Sequence, residues 1–300
     1  MRPTDRPALA IVLSLIALIL FDAMGLVIKH LSTTYSAAEL SAWRNLFGIF
    51  PVLIALMMSR KWHAAGRSIR IRQWRLGLSR GFVVTLAQLC YYLSLGRMEF
   101  ATASTITYAN ALFVTALTVL LLGERVGWVR WGAVTIGFVG VVLVMRPGSA
   151  AFSTDALLPL FAALLYALVT VQARTIDDDV PSPLVNLYSS VAALIGAFFL
   201  ALGFGGFTPV HSAADMGWIV AMGAFGGTAV LLLVVSYRMT EPSNLAPFSY
   251  FGIPLAFVLG WLFFDETPWD ALFPGALLIA TGGLMIVWRE RRRARAAQHF

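Results

Sequence analysis

A stretch running from Tyr108 through Glu124 to Val144 recurs, shifted by 142 positions, as Tyr250 through Glu266 to Ile286. In both copies a tyrosine opens the inner part of an apolar run and a glutamate closes it sixteen residues later. A glycine, Gly140 or Gly282, sits sixteen further on inside the next run. The chain reads as a duplication. Each copy of the full unit holds an odd number of apolar runs, so the second must enter a bilayer from the opposite side. Inverted-topology repeats of this kind are characteristic of secondary transporters.

The medium follows from composition. Charged residues are 12% and hydrophobic ones 59% of the chain, against about 25% charged in typical soluble proteins. The apolar residues lie in separated runs of about 18 to 25, the length that crosses a hydrocarbon core of about 30 Å as an α-helix. Gly, Pro and charge punctuation places the spans at 8–28, 37–57, 76–96, 100–122, 128–145, 156–173, 184–205, 215–237, 244–264 and 270–288. The expected fold class is an all-α polytopic membrane protein, ten transmembrane helices built from two inverted five-helix repeats. Residues 1–147 form the first repeat and 148–300 the second, which ends in a basic tail. The first run is longer than a signal-peptide core of about 7 to 15 residues and carries Asp22, so it reads as a retained span. The single cysteine, Cys90, excludes an intrachain disulfide.

Placing the N-terminus in the cytoplasm puts eighteen Lys and Arg on that side and leaves four, Lys29, Arg44, Arg97 and Arg146, for the outer side and the membrane. That bias predicts a multi-pass protein of the cell inner membrane with both termini cytoplasmic. The basic 60–75 loop and the arginine tail then set topology and meet anionic lipid. Without interleaved aromatics they do not suggest nucleic acid.

Ionisable residues inside a span usually face a cavity or a partner. At a rise of about 1.5 Å per residue, Asp22 lies roughly 9 Å and Arg44 roughly 11 Å below the outer ends of spans one and two. Matched depth suggests an ion pair serving as outer gate, proton-coupling element, contact for a zwitterionic substrate, or structural lock. Arg80 and Glu124 form a second matched set near the inner face. They are candidates for gating or coupling beside a bland alternative in which Arg80 snorkels to the interface. Mid-membrane polar residues nominate a substrate-binding set: Gln88 and Tyr92 on one face of span three, Tyr108 and Asn110 in span four, Tyr166 in span six and Tyr250 in span nine. Neutral and aromatic linings of this type suit an amphiphilic or heteroaromatic metabolite; tyrosines that merely bridge helices are the alternative. Pro247 and Pro254 predict a kink in span nine that span four, without proline, would lack. Gly226 and Gly227 read as a close-packing site in span eight.

Several local patterns resemble one family. They are Asp22 to Lys29, Glu39 followed by Arg44, Ser79-Arg80-Gly81, Ala101-Thr102-Ala103-Ser104, and Leu121-Leu122-Gly123-Glu124-Arg125 with Gly137-Phe138-Val139-Gly140-Val141. Together they resemble the EamA-type carriers of the drug/metabolite transporter superfamily over the whole chain. The resemblance implies a ten-helix carrier with a central cavity between two five-helix halves. It implies cargo such as amino acids and drugs for exporters, or S-adenosylmethionine and riboflavin for uptake carriers. The Asp22–Lys29 spacing and the Ser-Arg-Gly opening of span three look closer to the uptake group. Asp265 departs from the pattern, standing where glycine usually precedes the glutamate, and implies a differently built outer corner in the second copy.

The four histidines are scattered and form no metal or serine-histidine constellation, and no phosphate-binding loop is present. The expectation is therefore a secondary transporter rather than an enzyme, with no cofactor and no metal. It would move a small organic metabolite by alternating access, with the lipid bilayer as surroundings and a homodimer left open. Export of amino acids or drugs, or a channel, are the alternatives. Spans three, four, eight and nine are expected to line the cavity, one and six to rock, and five and ten to brace; Asp22→Asn would abolish proton-coupled accumulation but leave binding or exchange.

Overall fold

The computed structural model describes residues 7–64, 66–123, 127–146, 153–173, 175–176, 180–239, 245, 248, 250–267, 269 and 273–297. Among these residues the fold is helical without strands. The helices are α1 (Pro7–Leu31), α2 (Ala37–Met57), α3 (Arg60–Ala64), α4 (Trp74–Arg97), α5 (Phe100–Thr107), α6 (Asn110–Leu122), α7 (Trp128–Met145), α8 (Leu157–Ala173), α9 (Ser182–Gly203), α10 (Ala213–Met239), α11 (Gly252–Phe264) and α12 (Gly275–Ala297). Seven helical stretches are long and apolar enough to cross a membrane, α5 and α6 counting as one. Trp131–Met145, Gly252–Phe264 and Gly275–Ile286 are shorter apolar helices. Large apolar side chains such as Phe50, Phe199, Trp261 and Leu262 are more than half exposed, as lipid contact requires and as water would penalise.

Local chemistry explains the boundaries. A capping box starts α2: Ser36 Oγ accepts from Glu39 N–H while the Glu39 carboxylate accepts from Ser36 N–H. Gly123 ends α6 in the left-handed conformation, φ 67°. Asp265, its counterpart 142 residues on, ends α11 with φ 55°. There Glu266 N–H reaches back to Gly260 O and Asp265 N–H to Trp261 O, a Schellman closure. Gly123 and Asp265 thus share the left-handed turn, which aspartate tolerates; the rest of the first corner, from Glu124, lies outside the described residues.

One helix break differs from expectation. Span four is interrupted at Tyr108 and Ala109 although it has no proline, the ladder tightening there to Ala109 N–H···Ile106 O. Its counterpart is interrupted at Tyr250 and Phe251, the equivalent place. The break in span nine falls where its prolines predict one: Pro254 has no N–H for Tyr250 O, and its ring crowds that carbonyl. Pro247 lies outside the described residues.

Two apolar cores hold the bundle. One gathers α5, α6, α7, α11 and α12 around Ile106, Leu112, Val141, Ile253 and Ile279. The other gathers α1, α2, α4 and α10 around Ile28, Leu40, Leu95 and Met222. α7 and α12 cross at small residues: a Cβ on Gly140 would stand 2.6 Å from Gly275 O, and one on Gly282 2.6 Å from Ala133 O. α10 runs unbroken through Gly226 and Gly227, whose missing side chains admit Met24 and Pro51. This is the packing role their sequence suggests.

Candidate functional site

A cavity of about 680 Å³ occupies the bundle. Hydrogen bonds fix which end it favours. Where α1 finishes, Lys29 meets the end of α4, the start of α5 and the end of α11. There too Tyr35 Oη donates to Asp215 at 2.7 Å at the start of α10, and Glu39 accepts from Thr208 N–H. At the opposite end Gln73 donates to Thr175 O (3.1 Å) and Tyr188 Oη to Ile69 O (2.9 Å), tying the start of α4 to the end of α8 and the start of α9. The lining includes Ser14 to Met24 of α1, Arg80 to Tyr92 of α4, Tyr166 to Thr170 of α8, Asn186 to Ala193 of α9, and Val230 and Leu233 of α10. Arg44 and Asn45 of α2 and Ser104 of α5 carry it past the middle toward the end where α1 finishes, but most of it lies in the middle and in the half where α1 begins.

Nine of the ten residues nominated from sequence line this one cavity: Asp22, Arg44, Arg80, Gln88, Tyr92, Tyr108, Asn110, Tyr166 and Tyr250. Glu124 lies outside the described residues. Tyr91 joins them, so five of the eight tyrosines face the cavity. Spans three, four, eight and nine line the cavity as expected, and spans one, two, six and seven contribute as much lining as span eight. Helices crossing a central space all present one face to it, whichever of them move.

The nominated residues do different things. Gln88 Oε1 accepts from Ser41 Oγ and Asn45 Nδ2, both at 2.8 Å, so its carbonyl ties α4 to α2. Asp22 and Arg44 do not form an ion pair. Among the described residues the ion pairs are Lys29–Glu266 and Arg97–Asp155. Arg44 instead donates to Asn45 Oδ1 at 3.0 Å, with its Nε toward Gly226 of α10. Matched depth was therefore insufficient: the guanidinium swings along α2 into the gap that the Gly226 backbone leaves. Arg80 lines the cavity and does not point out to the interface. Buried polar atoms without a hydrogen-bond partner collect here: Asp22 Oδ2, Arg44 Nε, Arg80 Nε, Tyr92 Oη and Tyr250 Oη.

Sequence reasoning missed the latch at the far end. Glu266 pairs with Lys29 through one oxygen and through the other accepts from Phe100 N–H (2.7 Å), capping α5 from another helix. Lys29 also donates to Met98 O at 2.8 Å and sits 5.0 Å from the Phe264 ring centroid. The signal was available. The repeat puts Glu266 at the outer corner and Lys29 ends span one at the same level.

A family model described as the EamA-like transporter family matches residues 8–146 and 154–288. The chain belongs to the EamA-like transporter family. Similar proteins include a riboflavin transporter of Rhizobium johnstonii, 28% identical over 74% of this chain and 72% of the relative. An S-adenosylmethionine uptake transporter of Rickettsia bellii is 22% identical over 93% of each. A pseudopaline exporter, CntI, of Pseudomonas aeruginosa is 25% identical over 92% of this chain and 93% of the relative. One solved crystal structure superposes with a TM-score of 0.65 at 19% identity, covering 94% of this chain and 98% of that one, and shares the fold. This EamA-family protein is a small-metabolite transporter, a multi-pass protein of a bacterial inner membrane type.

Proposed function

We propose that the protein is an uptake carrier working by alternating access across ten spans, arranged as two inverted five-helix repeats. α5 with α6 would form span four, and the three shorter apolar helices would complete spans five, nine and ten. The pairing of helices supports this. α1 packs on α10 and α4 on α8, α4 on α9 and α10 on α2, α6 on α8 and α11 on α1. Each of these contacts becomes the other when the halves are exchanged, while α2–α9 and α7–α12 map onto themselves. The two stretches of the family match fall on the same halves. The excess of Lys and Arg puts both termini, and hence the half that holds the cavity, on the cytoplasmic side. The structure then corresponds to an inward-facing state.

The single observation that carries the mechanism is the Lys29–Glu266 pair, which joins the first half to the second at the end away from the cavity. A pair made in one state and broken in the other is a gate. Relatives named for S-adenosylmethionine uptake and for riboflavin transport, with the tyrosine-rich lining, support a metabolite of that class as cargo. The test is uptake of labelled S-adenosylmethionine and riboflavin by proteoliposomes, with and without a proton gradient. Accumulation of either supports the reading. Efflux of the same compounds with no uptake would favour an exporter like the pseudopaline relative.

A further inference from the structure

The two helix breaks carry equivalent tyrosines that dock in different ways. Tyr108 lies across the halves: a Cβ on Gly252, the first residue of α11, would collide with its hydroxyl and ring. Tyr108 ends α5, so this contact is the mid-membrane limit of the α5–α11 packing, which lies at the end away from the cavity mouth. Tyr250, 142 positions on, stays within its own half. Its hydroxyl fills the space where Gly283 of α12 lacks a side chain. Tyr250 is 7% exposed, and that hydroxyl has no hydrogen-bond partner. The same shift of 142 relates Gly252 to Asn110 and Gly283 to Val141. Val141 is buried in the core and leaves Tyr108 no slot in its own half. Asn110 lines the cavity in the first turn of α6. Ala109 and Leu112, on either side of it, belong to the same core cluster as Tyr250.

A buried hydroxyl without a partner is penalised, so Tyr250 is held in its slot by fit and not by bonding. Tyr108 has one dock. Tyr250 has two, the glycine slot it occupies and the Asn110 amide that the repeat sets opposite it. Resting on the alternating-access reading above, we propose that Tyr250 is a gate residue of the carrier. It lies in the Gly283 slot while the cavity opens toward the half where α1 begins. It swings across to α6 when that half closes, its hydroxyl bonding the Asn110 side chain. That contact is the inverted image of Tyr108 over Gly252, with a hydrogen bond in place of the glycine gap. The turn at the break, where Phe251 N–H reaches Phe248 O and Ile253 N–H reaches Tyr250 O, both at 3.1 Å, is the hinge about which the ring crosses.

The experiment uses the full chain in whole cells and in inverted membrane vesicles. Cys90→Ser with Leu18→Cys, a cavity-lining position midway along α1, leaves one thiol for an impermeant maleimide. The readout is the ratio of labelling rates from the side where α1 ends to the side where it begins. Gly283→Ala fills the slot and raises that ratio. Asn110→Ala and Tyr250→Phe remove the bond gained on crossing and lower it by about 3- to 10-fold, the worth of one neutral hydrogen bond. In a Tyr250→Leu background Gly283→Ala leaves the ratio unchanged, because the shift works through the tyrosine ring. A glycine that serves packing alone would change the melting temperature and not the ratio. The proposal is overturned if Gly283→Ala and Asn110→Ala move the ratio in the same direction, or if either folded variant keeps the parental ratio. Should Gly283→Ala not fold, Asn110→Ala and Tyr250→Phe decide alone, and parental ratios in both refute the gate. If Glu266→Gln shifts the ratio while these variants do not, the gate falls and alternating access stands. If no variant, Glu266→Gln included, admits label from the side where α1 ends, both fall.

Discussion

Glu266→Gln removes the charge of the latch while keeping an acceptor for Phe100 N–H, so it isolates the ion pair from the cap. The Lys29 and Glu266 side chains keep 15% and 14% of their surface exposed. That places the pair between exposed bridges worth about 0–1 kcal/mol and fully buried ones whose breakage costs about 3–5 kcal/mol. We take about 1.5–2 kcal/mol. If the pair exists only while the far end is closed, its loss moves the equilibrium toward opening there by about 10- to 30-fold. Cys90 is the only cysteine, so a Cys90→Ser background with Thr107→Cys, which lines the cavity, gives a single reporter. An impermeant maleimide applied from the side where α1 ends should label it about 10- to 30-fold faster in Glu266→Gln, with slower labelling from the other side. Unchanged rates from both sides, in a protein that still folds, would show that the pair is present in both states and is no gate.

Three further substitutions test the frame. Gly140→Ala places a methyl 2.6 Å from Gly275 O, so thermal unfolding in detergent should show a loss of about 1–3 kcal/mol; Gly282→Ala should behave alike. Gln88→Leu strands Ser41 Oγ and Asn45 Nδ2 and should cost about 1–2 kcal/mol, between an average interhelical bond in a membrane and a stranded buried donor. Asp265→Gly relieves a left-handed residue at φ 55° and should raise the melting temperature, by about 0.5–1 kcal/mol of stability; a fall would mean the side chain holds the corner by contacts.

The helical, membrane-crossing character was legible because apolar run length survives without side-chain geometry, and seven helical stretches are long and apolar enough to cross. The cavity set was legible because polar residues in mid-span have nowhere else to face: Tyr166 and Tyr250 were chosen on that ground and both line it. Pairing was not legible. Depth arithmetic fixes one coordinate of three, so it joined Asp22 to Arg44. The rotation of α2 and the space beside Gly226 instead send the guanidinium to Asn45. The helix break at Tyr108 was hidden because no proline or glycine marks it. It arises from a tightened turn in an apolar, β-branched stretch. The break at Tyr250 was legible, because Pro247 and Pro254 flank it.

A carrier needs two conformations close in energy, and a ligand can tip them only by its differential affinity. Under the repeat proposed above, exchange of the halves relates α1–α10 to α4–α8 and α4–α9 to α2–α10, so swapping which end is open calls for no new kind of apolar packing. The close α7–α12 crossing at Gly140 and Gly282 is its own image under that exchange and can stay fixed. The difference between the states then resides in polar ties at the ends, the Lys29–Glu266 pair with its bonds to Met98 and Phe100 foremost. Such ties are worth a few kcal/mol together, a size that a ligand binding the two states unequally can offset. Strengthening the latch alone should therefore slow turnover by trapping one state.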